Sequence, residues 1–175
     1  MITETRILIP LAAYWRIIGR MFTAPRDFFA DVATGGPKTW KAITFLVSTA
    51  LLYSGAAILV HRPPQSLAVF GILVVNAIGM CFFAVLVGYT IMIMGFGRKM
   101  TFSNMVRIYA FSSGMTLLLS WIPFSLLFTE IWKWWLIFAG LTIGGGLEKK
   151  EAAVILVLSV AVIVLFFRSL LSVFA

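Results

Sequence analysis

The chain has 175 residues, of which 62% are hydrophobic and 11% charged, and its mean hydropathy is +1.06. Because a soluble domain carries about 45–50% apolar and about 25% charged residues, this composition excludes an ordinary soluble enzyme, a disordered chain and a secreted disulfide scaffold. The net charge of +8 lies in short segments between long apolar runs, so it indicates membrane orientation rather than nucleic-acid binding.

The first forty residues predict one or two amphipathic helices at the membrane interface. In the first helix, one narrow apolar arc lies opposite two arginines: Leu11, Trp15, Ile18 and Phe22 against Arg16 and Arg20. A second helix is expected from Pro25, with Phe28, Phe29 and Val32 on its apolar side. We expect the basic side chains of this segment to contact anionic lipid headgroups: Arg16, Arg20, Arg26, Lys38 and Lys41.

A secretory signal peptide is the alternative interpretation of this segment. A signal peptide carries its positive charges before the apolar run, whereas Arg16, Arg20 and Arg26 follow apolar residues. We therefore expect the segment to be retained.

Five apolar segments are long enough to cross a hydrocarbon core of about 30 Å, which takes roughly 17–25 helical residues. They run from about Ala42 to Val60, Leu67 to Met94, Met105 to Ile122, Trp132 to Gly146 and Ala152 to Phe174. The third is expected to end before Pro123, and the short fourth is a candidate to form a hairpin with it. The sequence thus predicts an all-α integral membrane protein, with an interfacial segment at 1–40 and a five-span domain at 41–175.

The distribution of Lys and Arg predicts the orientation, because these residues are in excess in cytoplasmic connectors. Eleven fall on one side of the predicted spans: Arg6, Arg16, Arg20, Arg26, Lys38, Lys41, Arg98, Lys99, Arg107, Lys149 and Lys150. Three fall on the other side: Arg62, Lys133 and Arg168. We expect a cytoplasmic amino terminus and a carboxyl terminus on the opposite face.

The predicted spans contain almost no acid–base chemistry. All six acids lie outside them: Glu4, Asp27, Asp31, Glu130, Glu148 and Glu151. His61 is the single histidine and Cys81 the single cysteine, and the chain has neither an H-E-x-x-H motif nor a P-loop. We therefore expect no enzymatic activity, no cofactor and no metal site.

Weakly polar residues form a possible seam within the second and third spans: Asn76, Tyr89, Ser112, Thr116 and Ser120. They predict either hydrogen bonding between helices or a cavity for a lipid headgroup or small polar solute. A cavity that reaches Ser112 or Thr116 would favour transport, whereas a packed seam would favour scaffolding. Small residues four apart, at Ala84/Gly88 and Gly140/Gly144, predict close helix approach.

Several of these features also occur together in a known family. They are the proline-led helix at 25–29, Trp40 before the first span, the polar connector at 95–103, and a last span that begins with Glu151-Ala152-Ala153. From about Phe22 onward the chain resembles the Yip family of five-span membrane proteins, the Ypt/Rab-interacting proteins. The resemblance implies the fold and transfers no catalytic residue.

The resemblance also bears on partners. In eukaryotic members it implies vesicle traffic with Rab GTPases, met through a long cytoplasmic amino-terminal extension. That extension is missing here, so we do not expect a Rab-type GTPase partner. The short chain resembles the bacterial branch, which implies the bacterial inner (cytoplasmic) membrane and a periplasmic carboxyl terminus.

The leading hypothesis is a non-enzymatic membrane protein that organises the bilayer or scaffolds a membrane complex. The expected partners are anionic lipids of the cytoplasmic leaflet and either a second copy of the chain or another membrane protein. Nucleic acid is not expected. The alternative is a transporter, flippase or accessory transport subunit with a weakly polar cavity along the third span.

Overall fold

The computed structural model describes residues 11–120, 122 and 126–174, in which helices are joined by short turns. The helices are α1 (Leu11–Thr23), α2 (Pro25–Ala33), α3 (Thr39–His61), α4 (Ser66–Phe96), α5 (Phe102–Leu117), α6 (Leu126–Ala139) and α7 (Lys149–Phe174). A π-helical turn, Gly140–Gly144, continues α6. Arg6 and Pro123, which entered the sequence predictions, lie outside the described residues, as does the side chain of Leu11.

Local sequence signals account for several helix ends. Pro25 is the first residue of α2, as predicted. Proline is tolerated there because the N–H that it lacks would have no partner within the helix at that position. The Thr101 hydroxyl caps α5 by accepting a hydrogen bond from the Asn104 amide at 3.3 Å. Gly97 ends α4 with a φ of +74°, a conformation that costs glycine little.

Three helices are long and apolar enough to cross a bilayer within the described part of the chain. They are α3, α4 and residues Lys149–Ser169 of α7. The protein is therefore an all-α membrane protein, as expected. The five spans are not confirmed, because α5 has 16 residues and α6 has 14, or 19 together with the five residues of the π-helical turn that continues it.

The two shorter segments differ from their predicted limits. The third span was predicted at Met105–Ile122, but α5 ends at Leu117, where the amide of Leu119 turns back to the Thr116 carbonyl at 3.0 Å. The fourth was predicted from Trp132, but α6 begins at Leu126. The earlier start places Glu130 within a helix, where it pairs with Lys133 one turn later instead of remaining in a connector.

α5 forms the centre of the helical bundle. It packs against α3, α4 and α6, while α7 packs mainly on α4. Tyr109, Phe111 and Met115 of α5 are fully buried. Burial of such large side chains supplies the packing contacts that hold a bundle together in lipid, where hydrophobic attraction between helices is absent.

The apolar side of α2 belongs to this core. Phe28, Phe29 and Val32 are buried, and the Phe28 ring meets the Phe111 ring edge-on with centroids 5.0 Å apart. The prediction of an apolar side at these three positions is confirmed. The protein interior covers that side, so it is not left to the lipid.

α1 buries a different side from the one that its sequence suggested. Met21 is fully buried, and the Tyr14 hydroxyl lies 2.9 Å from Oγ of Ser48 on α3. Of the predicted apolar arc, Trp15 is 67% exposed and Phe22 is 44% exposed. α1 therefore has, besides the predicted arc, a second side that packs on the bundle, and the interfacial role of the arc stays a prediction.

Close helix approach is confirmed at both small-residue pairs. A Cβ added at Gly88 would lie 2.7 Å from the Tyr109 hydroxyl oxygen. A Cβ added at Gly140 would collide with Ile108 and lie 3.1 Å from the ring of Phe29. These glycines let α5 approach α4, and let α2 and α5 approach the π-helical turn.

Candidate functional site

A basic pocket of about 260 Å³ lies where α1, α2 and α3 meet. Three cationic side chains line it, together with one turn of backbone and two apolar side chains: Arg16, Arg20, Lys41, Gly36, Pro37, Ile17 and Phe28. The docking of α1 through Tyr14 brings its two arginines to Lys41 at the start of α3. The pocket thus gathers residues that are 25 positions apart in the sequence.

The charges in the basic pocket are only partly neutralised. The Arg20 guanidinium pairs with the Asp31 carboxylate at 2.6 Å. Within the described part of the chain, neither Arg16 nor Lys41 takes part in an ion pair. Two cations therefore remain to attract an anion, and a partly exposed pocket screens them less than open water does.

The other two predicted headgroup contacts lie elsewhere. Arg26 is exposed on the far side of α2, beside a second cavity that Glu148 and Lys149 also line. Lys38 is exposed and does not line the basic pocket. The structure therefore brings together three of the five predicted cations.

A second site, here called the tip cavity, is lined by residues of α4, of α5 and the turn after it, of α6, and by Ile163 of α7. Its volume is about 320 Å³. Seven polar side chains line it among apolar ones: Asn76, Tyr109, Ser113, Thr116, Ser120, Glu130 and Lys133. Ionisable side chains among membrane-spanning helices are candidates for functional sites by default.

Two hydroxyls of the tip cavity act as acceptors, whereas that of Tyr109, which also lines it, has no hydrogen-bond partner among the described residues. Thr116 Oγ1 donates to the Ser113 carbonyl at 3.0 Å, and Ser120 Oγ donates to the Thr116 carbonyl at 2.8 Å. Each hydroxyl has one proton and two lone pairs, so once the proton is committed the oxygen can only accept. These two oxygens suit a ligand that donates N–H or O–H groups.

An ion pair lines the same cavity. Lys133 Nζ donates to Glu130 Oε1 at 2.7 Å, and the pair is joined one helical turn apart on α6. The Lys133 ammonium also lies 5.3 Å from the ring centroid of Trp134. Glu130 remains 55% exposed, which places it at the opening of the cavity, while Lys133 is 22% exposed.

The comparison with known families agrees with these features. The family model of the Yip1 domain matches residues 19–170, a range that covers every described helix except part of α1 and the end of α7. The chain belongs to the Yip1 domain family. Neither a curated protein nor a solved structure matches the chain.

In this Yip1 domain the predicted polar seam is divided. Asn76, Thr116 and Ser120 line the tip cavity. Ser112 is buried outside it, with no hydrogen-bond partner for its hydroxyl among the described residues. Tyr89 lies near the opposite end of α4, where its ring meets Phe102 at 5.1 Å.

Five polar or aromatic residues of the tip cavity were not part of the predicted seam: Tyr109, Ser113, Glu130, Lys133 and Trp134. Glu130 was assigned to a connector, and Lys133, near the start of the predicted fourth span, was counted with the charges outside the membrane. Their spacing of three residues is itself a helical signal. That spacing was the one feature that could have placed both side chains on one face of α6.

The Yip1 domain carries little apparatus for acid–base or metal chemistry. Within its described residues, no three His, Cys, Asp or Glu side chains lie close enough together to hold a metal ion. Cys81 lines the tip cavity and is a free thiol. The arrangement can bind ions and dipoles at both sites.

Proposed function

We propose that this Yip1 domain is a non-enzymatic protein of the bacterial inner membrane that organises lipids or scaffolds a membrane complex, and that the basic pocket binds anionic lipid of the cytoplasmic leaflet. The observation that carries this proposal is the meeting of Arg16, Arg20 and Lys41 in one pocket. Each basic side chain near an anionic surface contributes about 1 kcal/mol. Two uncompensated cations therefore give a selectivity that can be measured.

The surroundings of the pocket support a position at the membrane surface. Trp15 is exposed next to Arg16 on α1, and Trp40 is 40% exposed next to Lys41 on α3. Tryptophan is enriched at the headgroup level of membranes. An anionic headgroup in the pocket would thus have its acyl chains beside the exposed apolar side chains of α1.

The proposed orientation follows the charge count. α3, α4 and α7 would cross the membrane, and α5 and α6 would enter as a hairpin from the face that carries Arg98 and Lys149. An odd number of crossings places the two termini on opposite faces. The charge count then puts the amino terminus in the cytoplasm and the carboxyl terminus in the periplasm. A second copy or another membrane protein would pack on the exposed apolar faces of the spans.

Lipid retention tests the proposed function. The full chain is placed in nanodiscs of equal phosphatidylglycerol and phosphatidylcholine, and the lipids that remain bound are identified by native mass spectrometry. We expect phosphatidylglycerol to be enriched, and the double variant Arg16→Gln/Lys41→Gln to lose that enrichment. The matched control, Arg26→Gln/Lys38→Gln, removes the same charge outside the pocket and should keep it. Equal losses in both variants would reduce the proposal to a diffuse charge effect.

Transport or lipid flipping is a second candidate, because a cavity that reaches Thr116 was expected to favour transport and the tip cavity reaches that residue. The triple variant Ser113→Ala/Thr116→Val/Ser120→Ala removes the hydroxyl face without removing charge. If the cavity conducts lipid, exchange of fluorescent lipid between leaflets of proteoliposomes should slow while thermal unfolding stays unchanged. An unchanged exchange rate, or no exchange by the wild type, would count against this candidate.

A further inference from the structure

We propose that the tip cavity binds a zwitterion that carries an ammonium and a phosphate group, the chemistry of phosphoethanolamine. This inference is independent of the basic pocket, which lies at the junction of α1, α2 and α3. It holds whether or not the bound molecule is later moved across the membrane. The argument rests on charge balance, on hydrogen-bonding capacity and on access.

The charge of the cavity is balanced, and its two charged side chains form an ion pair. Glu130 contributes one negative charge and Lys133 one positive charge, and they are the charged side chains that line it. A ligand with a single charge would therefore be attracted by one of these side chains and repelled by the other. A net-neutral molecule with opposite charges at its two ends can satisfy the carboxylate and the ammonium together.

The hydroxyls of Thr116 and Ser120 favour one orientation of the bound zwitterion. Thr116 Oγ1 and Ser120 Oγ donate their hydrogen bonds to backbone carbonyls, so both oxygens have lone pairs available to a ligand. They would accept hydrogen bonds from the ammonium group of the ligand, which would also contact the Glu130 carboxylate. Lys133 would then turn from Glu130 to the phosphate. The pair that joins Glu130 to Lys133 is partly exposed, so solvent screening weakens its opposition to this exchange.

Access to the cavity follows from a groove along α4. Residues between Leu67 and Val75 line this groove, and Asn76 lines both the groove and the cavity. Ten positions of α4 separate Asn76 from Ser66, the start of the helix, which corresponds to about 15 Å. The groove therefore connects the cavity with the beginning of α4.

A headgroup at the beginning of α4 can reach the cavity along this groove. Phosphoethanolamine is available there as a lipid headgroup or as a free solute. Both sources present the same ammonium and phosphate. Binding of the two is therefore measured in separate arms.

The lipid arm uses the full chain in nanodiscs of equal phosphatidylethanolamine and phosphatidylcholine, with retained lipid identified by native mass spectrometry. The solute arm titrates O-phosphoethanolamine by calorimetry into the chain in phosphatidylcholine nanodiscs. O-phosphocholine serves as the matched probe, since its trimethylammonium cannot donate hydrogen bonds. We expect phosphoethanolamine to be preferred over phosphocholine at least tenfold in one arm or both.

Three variants test the site. Lys133→Gln and Thr116→Val should each weaken binding about tenfold, whereas Lys99→Gln, which breaks the Lys99–Glu151 pair outside the cavity, should leave it unchanged. Preference in the lipid arm alone identifies a membrane lipid as the ligand. The proposal is overturned if neither form binds the wild type in preference to its choline counterpart, or if Lys133→Gln binds as tightly as wild type. The phosphatidylglycerol assay of the basic pocket can fail or succeed independently.

Discussion

The ring of Phe29 on α2 lies directly against Gly140 at the start of the π-helical turn. A Cβ at Gly140 would lie 3.1 Å from Cε1 of Phe29 and would collide with Ile108. The contact joins the amino-terminal amphipathic segment to the α5–α6 hairpin. Both candidate sites therefore depend on one packed interior, although they lie at different ends of the hairpin.

Replacing Gly140 by alanine should weaken the docking of α2. The added methyl group has no space beside Ile108 and Phe29, and overpacking of this kind costs about 1–3 kcal/mol. The expected result is a lower midpoint of thermal unfolding in mild detergent. Gly79→Ala is the matched control, since no atom lies within 4 Å of a Cβ there and alanine favours helix. Equal midpoints for the two variants would show that the contact is not tight.

Much of this arrangement could be predicted from the sequence, because its largest signals are apolar length and small-residue spacing. Runs of apolar residues long enough for a bilayer identified α3, α4 and α7, and the Gly140/Gly144 pair identified a close approach. The ends of α5 and α6 could not be placed in the same way. Their limits depend on turns and an ion pair that form only after the hairpin has packed.

The faces of the shorter helices were harder to assign. A step of four residues drifts by about 40° around a helix, so Ser112 is turned relative to Thr116 on α5 and does not line the cavity, while Ser120 lies in the turn after α5. Ser113 takes its place, because steps of three and four residues together hold a constant direction. The basic pocket required the contact of Tyr14 with α3, a tertiary event that no local pattern specifies.

Arg107 should hold the carboxyl end of α2. Its Nη1 donates to the Val32 carbonyl at 3.3 Å, in the last turn of α2, where unpaired carbonyls carry partial negative charge. Arg107→Gln should destabilise the fold by about 1–3 kcal/mol, the range for a lost hydrogen bond to a charged group. Thermal unfolding measures the change, with Arg98→Gln, an exposed arginine, as control. A drop shared by Arg98→Gln would point to a general charge effect.

Releasing Arg20 from Asp31 should strengthen binding of anionic lipid. The Asp31→Asn variant removes the carboxylate that lies 2.6 Å from the Arg20 guanidinium, so a third cation of the basic pocket becomes available. A gain of about 1 kcal/mol corresponds to about fivefold higher retention of phosphatidylglycerol. Asp27→Asn changes the net charge equally and forms no ion pair among the described residues, so it should show little change. If phosphatidylglycerol retention rises equally in both variants, the gain comes from net charge and not from the basic pocket.

The same binding should depend on salt. Raising the ionic strength from about 0.1 M to about 1 M shortens the screening length from about 10 Å to about 3 Å. Salt can screen the charges of the basic pocket because the pocket is partly exposed. Phosphatidylglycerol enrichment by the wild type should fall over this range, and that of Arg16→Gln/Lys41→Gln should change much less. Enrichment that persists at high salt would indicate that acyl-chain contacts dominate.

The orientation can be tested with single cysteines in a Cys81→Ser background. Gln65 lies in the turn between α3 and α4, and Lys149 begins α7. With three crossings and a hairpin that returns to its own face, Gln65→Cys should react with a membrane-impermeant maleimide in intact cells, whereas Lys149→Cys should react only after permeabilisation. The charge count favours this direction, because Lys and Arg are concentrated beside Lys149 and on the segment before α3. The reverse labelling pattern would invert the proposed topology and move the basic pocket to the periplasmic leaflet, while equal labelling at both sites would mean that α4 does not separate the two faces.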